Sequence, residues 1–549
     1  MNMKKVGVLV LIFALCLSLA ACAGSPTTGS TAGSSTAAGT SGTAGTTAAA
    51  ATNGTITAEP LTLQFLCYNW GDIAYSNDMP VFQELEKRTN IHLEWQLLPA
   101  EDNLTKLNLI MSTSDKLPDL ISYSGFGDEK KNFDRFASQG LLTPLDDLIE
   151  QNAPNIKNFL TNPPYEIPNL KAELTSSDGK LYSLPNVTQV NTGEIFAIRQ
   201  DWLDKLNLKA PETTDDLYTV LKAFKDQNAD GSGDTIPFVP DSGLKDLTIL
   251  MNAFGSHEDL YVDAKDGTIK YGPLEAAYKE GLAYCNKLYA EGLIDKDYVN
   301  ANNSEAFRAK IAKNQAGLIY AWPMSGLGYG NTTVANLNPS YKYVSMLPVK
   351  GPNGDRYKER PQAMVAPRTV ISSTNEHKVE TIKYLDYLFS EEGSILMNYG
   401  VEDKDYTLDS SGKPQFTDYV LKNSDGKDPA TVRGEEGMQI GLPFVATLAC
   451  ESQAATDAAI KNAWTTYVES GVLYPAFPNV PLDEAVLSDI SGIITDIQTY
   501  VQEQSNDFIM GDRSLDEFDA FVTAVKGMGI DNVLEAYNTA YAKYKAYNN

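Results

Sequence analysis

Between residues 226 and 234 the chain crowds oxygen-bearing side chains onto alternate positions: Asp226, Asn228, Asp230, Ser232 and Asp234, with Gly231 between them. A hard cation such as calcium collects about six to eight oxygens, and alternate residues of a tight loop can turn theirs toward one point. Gly231 stands where such a loop must turn sharply, and Ser232 could offer its carbonyl. Pro237 occupies the place where a bidentate acid would close a complete helix–loop–helix calcium site, so that motif is not present in full. The competing reading is a cluster of Asx turns in a solvated loop. Three carboxylates held this close repel without a counter-ion, which favours the cation.

A second kind of chemistry is suggested by aromatic residues at strand ends. A sugar ring offers an apolar face and an edge of hydroxyls, so its site needs flat aromatics beside polar side chains. Trp322 follows the apolar run Gly317-Leu-Ile-Tyr-Ala and precedes Pro323, a position that suits either a cleft rim or packing; Trp70 follows Tyr68-Asn69 in the same way. Tyr68, Tyr123 and Tyr329 join them by loop position. Arg199 could donate a fork of hydrogen bonds to a ligand, or could pair with Asp201.

Catalysis has little to stand on. The chain holds 3 histidines, His92, His257 and His377, none in a metalloprotease or triad pattern, and it carries no nucleophile elbow or phosphate-binding glycine loop. Acid pairs such as Glu391-Glu392 and Asp403/Asp405 suit helix ends and turns.

The elements that must position these residues are legible from periodicity. Leu61, Leu63, Phe65 and Cys67 alternate as in a strand, as do Leu93, Trp95 and Leu97; Val81, Phe82 and Leu85 lie on a helix between, and Leu104, Leu107 and Met111 on a helix after. This β-α-β-α-β order predicts a mainly parallel sheet with ligand-facing residues at the carboxyl ends of its strands. Thr213 with Asp216 predicts a capped helix carrying Leu217, Val220, Leu221 and Phe224 on one face, directly before the oxygen-rich loop. Near the end, Ile490, Ile493, Ile494, Ile497 and Val501 share one helical face, and Phe518, Phe521, Val522 and Val525 another.

The ends of the chain carry no such chemistry. Residues 1–21 read as a secretion signal, and Leu19-Ala-Ala-Cys22 as a lipobox whose Cys22 would be lipidated. From 22 to 60 the composition falls to Ala, Gly, Ser and Thr, a flexible tether. The net charge of −27 argues against nucleic acid and against an anionic lipid surface as partners, leaving membrane attachment to the lipid alone. Cys67, Cys285 and Cys450 form neither a disulfide framework nor a metal-ligand spacing.

Several stretches resemble the bacterial extracellular solute-binding proteins of family 1, the LipO-like lipoproteins and alginate-binding proteins among them. Arg199-Gln-Asp-Trp-Leu followed by the 226–234 loop and Ile236-Pro237 is one; Ser112–Ile121, Gly140–Asp146, Asp178–Pro185 and Tyr384–Gly393 are others. In the alginate-binding relatives an acid directly after the ninth loop position completes a calcium shell, where this chain has Thr235. The resemblance implies a type II periplasmic-binding-protein-like α/β fold of two discontinuous lobes around a hinge, with a helical C-terminal region. By analogy the chain crosses near Asn186–Phe196, returns near Leu347–Met364 and leaves again after about Tyr406. One lobe is then 61–190 with 360–406, and the other 191–359 with 407–549. The implied function is that of a lipid-anchored, monomeric substrate-binding component of an ABC importer on the extracytoplasmic face of the membrane. It would capture an oligosaccharide, with structural calcium, and hand it to permease subunits. The alternatives are an extracellular enzyme acting on polysaccharide, or a peptide-binding or receptor protein on the same fold.

Overall fold

A computed structural model describes residues 55–547 apart from 70–72, 100–101, 125–128, 166, 168, 190–191, 302–303, 337, 360–364 and 456. The signal, Cys22, most of the tether and Trp70 therefore lie outside the described residues. Among the described residues the two large sheets have six strands and four, beside three two-stranded ones.

In the larger sheet, β1 (Leu61–Tyr68), β2 (Ile91–Leu98) and β3 (Leu120–Ser122) are parallel, with β1 between the others. Leu63, Phe65 and Cys67 enter the main core of this half, while Leu66 enters a smaller cluster on the opposite side with Leu107 and Met111. Both sides of β1 are thus covered, as a parallel sheet requires. The strand Val365–Ile371 pairs antiparallel with β3 and with β4 (Ser183–Thr188), and the short strand Val445–Ala446 completes the far edge.

The smaller sheet is built on β5 (Ile195–Arg199), which pairs antiparallel with Tyr343–Met346 and with Ala316–Ala321; the latter runs parallel to β6 (Ile236–Pro240). The helix Thr214–Asp226 packs on it through Leu217, Val220, Leu221 and Phe224, all buried. The expected capping box is formed in both directions: Asp216 N donates to Thr213 Oγ1 at 3.1 Å and Thr213 N donates to Asp216 Oδ2 at 3.1 Å. Helix and strand approach so closely that a Cβ on Gly317 would lie 2.7 Å from the Phe224 ring and 2.9 Å from the Pro237 carbonyl, which only glycine tolerates.

The helices Glu484–Met510, Phe518–Gly527 and Ile530–Ala546 close the chain. Their apolar faces join the second core through Ile490, Ile497, Val501, Phe518, Phe521 and Val525. No helix among the described residues is long and apolar enough to cross a membrane.

In chain order β4 belongs to the first sheet and β5 to the second, and Val365–Ile371 belongs to the first again. The third passage comes later than Tyr406. Phe416, Val420, Val432, Leu442 and Cys450 belong to the first core, and only from Ala455 and Ile460 do side chains enter a cluster on the second sheet. The segment 407–450, expected in the second lobe, is thus packed in the first. Its elements are too short to show a period: a hairpin (Tyr406–Leu408 with Pro414–Phe416), helices of 4 and 8 residues, and a strand of 2.

Candidate functional site

At the carboxyl ends of β1, β3 and β4 lies a pocket of about 140 Å³. Two of the sequence candidates meet there. Tyr68 ends β1 and Tyr123 follows β3, and the register that sets Cys67 opposite Ser122 brings these two tyrosines side by side. Tyr123 also meets the Phe133 ring edge-on, with centroids 6.4 Å apart.

Ser122 and Ser124, which flank Tyr123, line the pocket too, whereas Arg368, Asn186 and Gln439 are not among the sequence candidates. Arg368 sits where the pairing of Val365–Ile371 with β4 slips by one residue between Pro367 and Thr369. Such a bulge re-aims a side chain. Here the Arg368 carbonyl accepts from Tyr123 N at 3.0 Å, and the guanidinium lines the pocket with Nη1 2.7 Å from Glu129 Oε1. Burial pulls the Arg368 pKa below its usual range, opposed by the charge of Glu129. The same burial raises the Tyr68 hydroxyl, opposed by Arg368. Arg368 Nε finds no acceptor and Asn186 Oδ1 no donor among the described residues, although both atoms are buried. Buried polar atoms normally have partners, so these two leave room for a ligand's hydrogen bonds.

Gly441, Gln439 and Phe444 complete the pocket from the segment 407–450. Gly441 has φ 69, and a Cβ there would press on Cys67 Sγ at 3.1 Å; glycine lets this loop lie against the end of β1. Gln439 is tied down by donating to Asn398 Oδ1 at 2.9 Å and to Glu451 Oε1 at 2.8 Å. No local signal marks Arg368, Asn186 or Gln439, because each is polar only in a context assembled from distant segments.

The other candidates lie elsewhere. Arg199 is 1% exposed; it donates to Asp201 through Nε at 2.8 Å and Nη2 at 2.6 Å, and its guanidinium carbon lies 3.7 Å from the Tyr341 ring centroid. It is thus enclosed and paired, and it is absent from the pocket lining: the salt-bridge alternative is the one realised. Trp322 is 49% exposed at the carboxyl end of Ala316–Ala321, on the second sheet and outside this pocket. Tyr329 is half-buried in the cluster on that sheet, 5.5 Å from the Arg308 guanidinium carbon.

A larger groove of about 410 Å³ separates helix Glu129–Ser138 from the segment 477–498. Two of its cations are engaged: Lys130 with Asp134 at 2.7 Å, and Arg135 with Asn108 Oδ1 at 2.6 Å. It has no buried polar atom without a partner among the described residues, which favours the smaller pocket as the binding site.

In the oxygen-rich loop, Gly231 makes the expected turn at φ 81, and Asn228 (φ 52) and Gly233 (φ 95) share its left-handed conformation. The side chains bond one another. Asp230 accepts from the hydroxyls of Ser232 and Thr235, Asn228 Oδ1 accepts from Gly233 N at 2.7 Å, and Asp234 N donates to Asp230 Oδ2 at 3.3 Å. These bonds hold the Asp230 carboxyl below its usual range despite partial burial. Asp226 instead pairs with Lys222 Nζ at 3.0 Å. Among the described residues no three His, Cys, Asp or Glu side chains converge to hold a metal ion. The donor types suit calcium, but their arrangement is that of a self-bonded turn.

Comparison with known proteins bears on family and fold. Residues 72–395 match the family described as bacterial extracellular solute-binding protein. The chain is 29% identical over 505 residues, 86% of this chain and 88% of the relative, to the fructooligosaccharide ABC transporter substrate-binding protein FusA of Streptococcus pneumoniae. It is 26% identical over 507 residues, 87% of this chain and 91% of the relative, to the polygalacturonan/rhamnogalacturonan-binding protein YtcQ of Bacillus subtilis. Its fold is similar to that of the alginate-binding protein AlgQ2, solved without calcium, with a TM-score of 0.72 and 28% identity over 89% of this chain and 99% of that one. FusA has itself been solved as an EF-hand mutant in complex with fructo-nystose, with a TM-score of 0.68 and 27% identity over 88% of this chain and 99% of that one. These relatives are binding proteins rather than enzymes.

Proposed function

We propose a function from one premise: the chain belongs to the bacterial extracellular solute-binding protein family. It is the substrate-binding component of an ABC importer and captures an oligosaccharide at the strand-end pocket. One observation carries this reading. Arg368 and Asn186, whose Nε and Oδ1 are buried without partners among the described residues, line a pocket with Tyr68, Tyr123 and Phe444. Aromatic faces beside unsatisfied polar atoms are what a sugar ring demands. The fructooligosaccharide, polygalacturonan and alginate relatives support the same ligand class.

The mechanism is a hinge. Three chain segments link the sheet-centred halves, ligand contacts made with both halves favour closure, and the closed form is what the permease recognises. Trp322, exposed at a strand end of the second sheet, is the aromatic that half would contribute. Cys22 is the lipid anchor that keeps the protein on the extracytoplasmic face of the membrane. Calcium belongs to the reading as a structural ion only: Asp226, Asn228, Asp230, Ser232 and Asp234 would hold it, once Asp226 left Lys222. Its chemistry there would be to pin the loop after the helix Thr214–Asp226.

A thermal-shift screen of the purified protein against oligosaccharides, uronate oligomers and peptides, with and without calcium, tests this function. A saturable rise in Tm with a sugar class, and no product on long incubation, supports it. A rise only with peptides, or cleavage of a polymer, overturns it.

A further inference from the structure

We infer that the ligand of the strand-end pocket is an uncharged oligosaccharide rather than a uronate, and that Glu129 and Asn186 set this preference. The inference rests on the functional reading above and deepens it.

Charge comes first. Arg368 is the sole ionisable cation lining the pocket among the described residues, and Glu129 Oε1 stands 2.7 Å from its Nη1. Glu129 is itself 4% exposed and the Arg368 side chain 21%, so the guanidinium meets the pocket with its charge balanced from behind, and the pair presents almost no net charge. A uronate would bring a carboxylate into this pocket with no free counter-charge to meet it. Stripping water from an unpaired carboxylate is costly, whereas a hydroxyl faces a far smaller penalty.

Hydrogen-bonding capacity points the same way. Among the described residues that line the pocket, Arg368 keeps two buried donor atoms without a hydrogen-bond acceptor, Nε and the Nη1 that lies beside Glu129, and Asn186 Oδ1 is a buried acceptor without a donor. A hydroxyl can accept from the arginine and donate to the asparagine. An ionised carboxylate only accepts, and would leave Asn186 Oδ1 facing lone pairs. The remaining polar lining among the described residues, Ser122, Ser124, Tyr68, Tyr75, Tyr123 and Gln439, is uncharged. At longer range the net charge of −27 slows the approach of a polyanion.

The test titrates the full chain calorimetrically with kestose and maltotriose, as neutral probes, and with trigalacturonate, at low and at moderate salt. Saturable binding of a neutral trisaccharide at least about tenfold tighter than trigalacturonate supports the inference. Equal or tighter binding of trigalacturonate overturns it while leaving the oligosaccharide-binding function intact. No heat with any sugar overturns that function, and the inference with it. In Glu129→Gln the Arg368 charge is released. Trigalacturonate affinity is then expected to rise about tenfold relative to the neutral probe, with the gain fading as salt is added. An unchanged ratio in a folded variant counts against the role of Glu129. If Glu129→Gln does not fold, Asn186→Ala still decides. It is expected to weaken the neutral probe about tenfold without lowering the Tm of the free protein. Undiminished affinity for the neutral probe overturns the role of Asn186.

Discussion

Arg199 shows how a residue that could bind a ligand can be taken up by the fold. Its fork is spent on Asp201, two residues on, and its flat face lies against Tyr341 and Trp202. Breaking an enclosed ion pair from one side leaves the partner charge uncompensated. Arg199→Ala is therefore expected to cost about 3 kcal/mol of stability in denaturant unfolding, with ligand affinity unchanged in the folded fraction. Loss of affinity at full stability would put Arg199 back in the binding site. Asp246 makes the corresponding argument with pH. It is fully buried; its Oδ2 accepts from Asp241 N at 2.6 Å and Ser242 N at 2.7 Å, while Oδ1 has no donor. Burial, with help from the Glu194 and Asp241 charges and against the two amides, pushes its pKa up to about 7. The native carboxyl thus keeps a proton that the unfolded chain has released above about pH 4, so stability falls as pH rises from there to about 7 and then levels. Asp246→Asn keeps an acceptor for both amides but does not titrate. Its stability, followed by urea midpoint, is expected to gain on the parent by at most about 1.4 kcal/mol per pH unit across that window. Parallel pH profiles for the two proteins would refute this.

The oxygen-rich loop is the element in which residue spacing was easiest to read and arrangement hardest. Its turn at Gly231, and the capped helix that delivers it, follow from local preferences: a left-handed position wants glycine, and Thr213 with Asp216 wants a helix start. Whether the carboxylates point together depends on what else they can bond. Asp230 has Ser232 and Thr235, and Asp226 has Lys222 one helical turn back. Asp230→Ala removes the acceptor that ties the turn and is expected to cost about 1–2 kcal/mol without calcium. Calcium should raise the Tm of the parent and leave that of Asp230→Ala unmoved, with oligosaccharide affinity nearly the same in both. A parent Tm indifferent to millimolar calcium would make the loop a self-bonded turn and nothing more. The parallel arrangement of β1, β2 and β3, and with it the side-by-side placing of Tyr68 and Tyr123, was equally legible, because alternation and chain order both act locally. The bulge that aims Arg368 was not, since it exists only in the mismatch between two strands that lie far apart in sequence.

At the scale of the whole molecule the least legible contacts are those that fasten the C-terminal helices to the first half. Periodicity showed which faces of those helices are apolar, and Ile490, Ile497 and Val501 are indeed buried against the second core. It gave no hint of Glu173, whose Oε2 accepts from Asn479 Nδ2 at 2.7 Å, and whose other oxygen accepts from the Tyr544 hydroxyl, partners 306 and 371 residues away. Glu173 lies in the helix Leu170–Leu174, which is buried in the first half through Leu170 and Leu174. The link is therefore a polar bridge from the first core to helices seated on the second. Burial raises the Glu173 carboxyl above its usual range even though these bonds oppose the shift. Any closing motion must either turn about this bridge or break it. Breaking it would leave a half-buried carboxyl and a buried hydroxyl unsatisfied, so turning about it is the cheaper course. Glu173→Ala is accordingly expected to cost about 2–3 kcal/mol and to speed amide exchange across residues 475–483 and the final helix, with exchange in the six-stranded sheet unchanged. Ligand should do the opposite at the other end of the same half, slowing exchange around Tyr68 and Ser122–Ser124 while leaving residues 475–483 as they were. If ligand instead loosened residues 475–483, the bridge would be a latch released on closure rather than the point about which the halves turn.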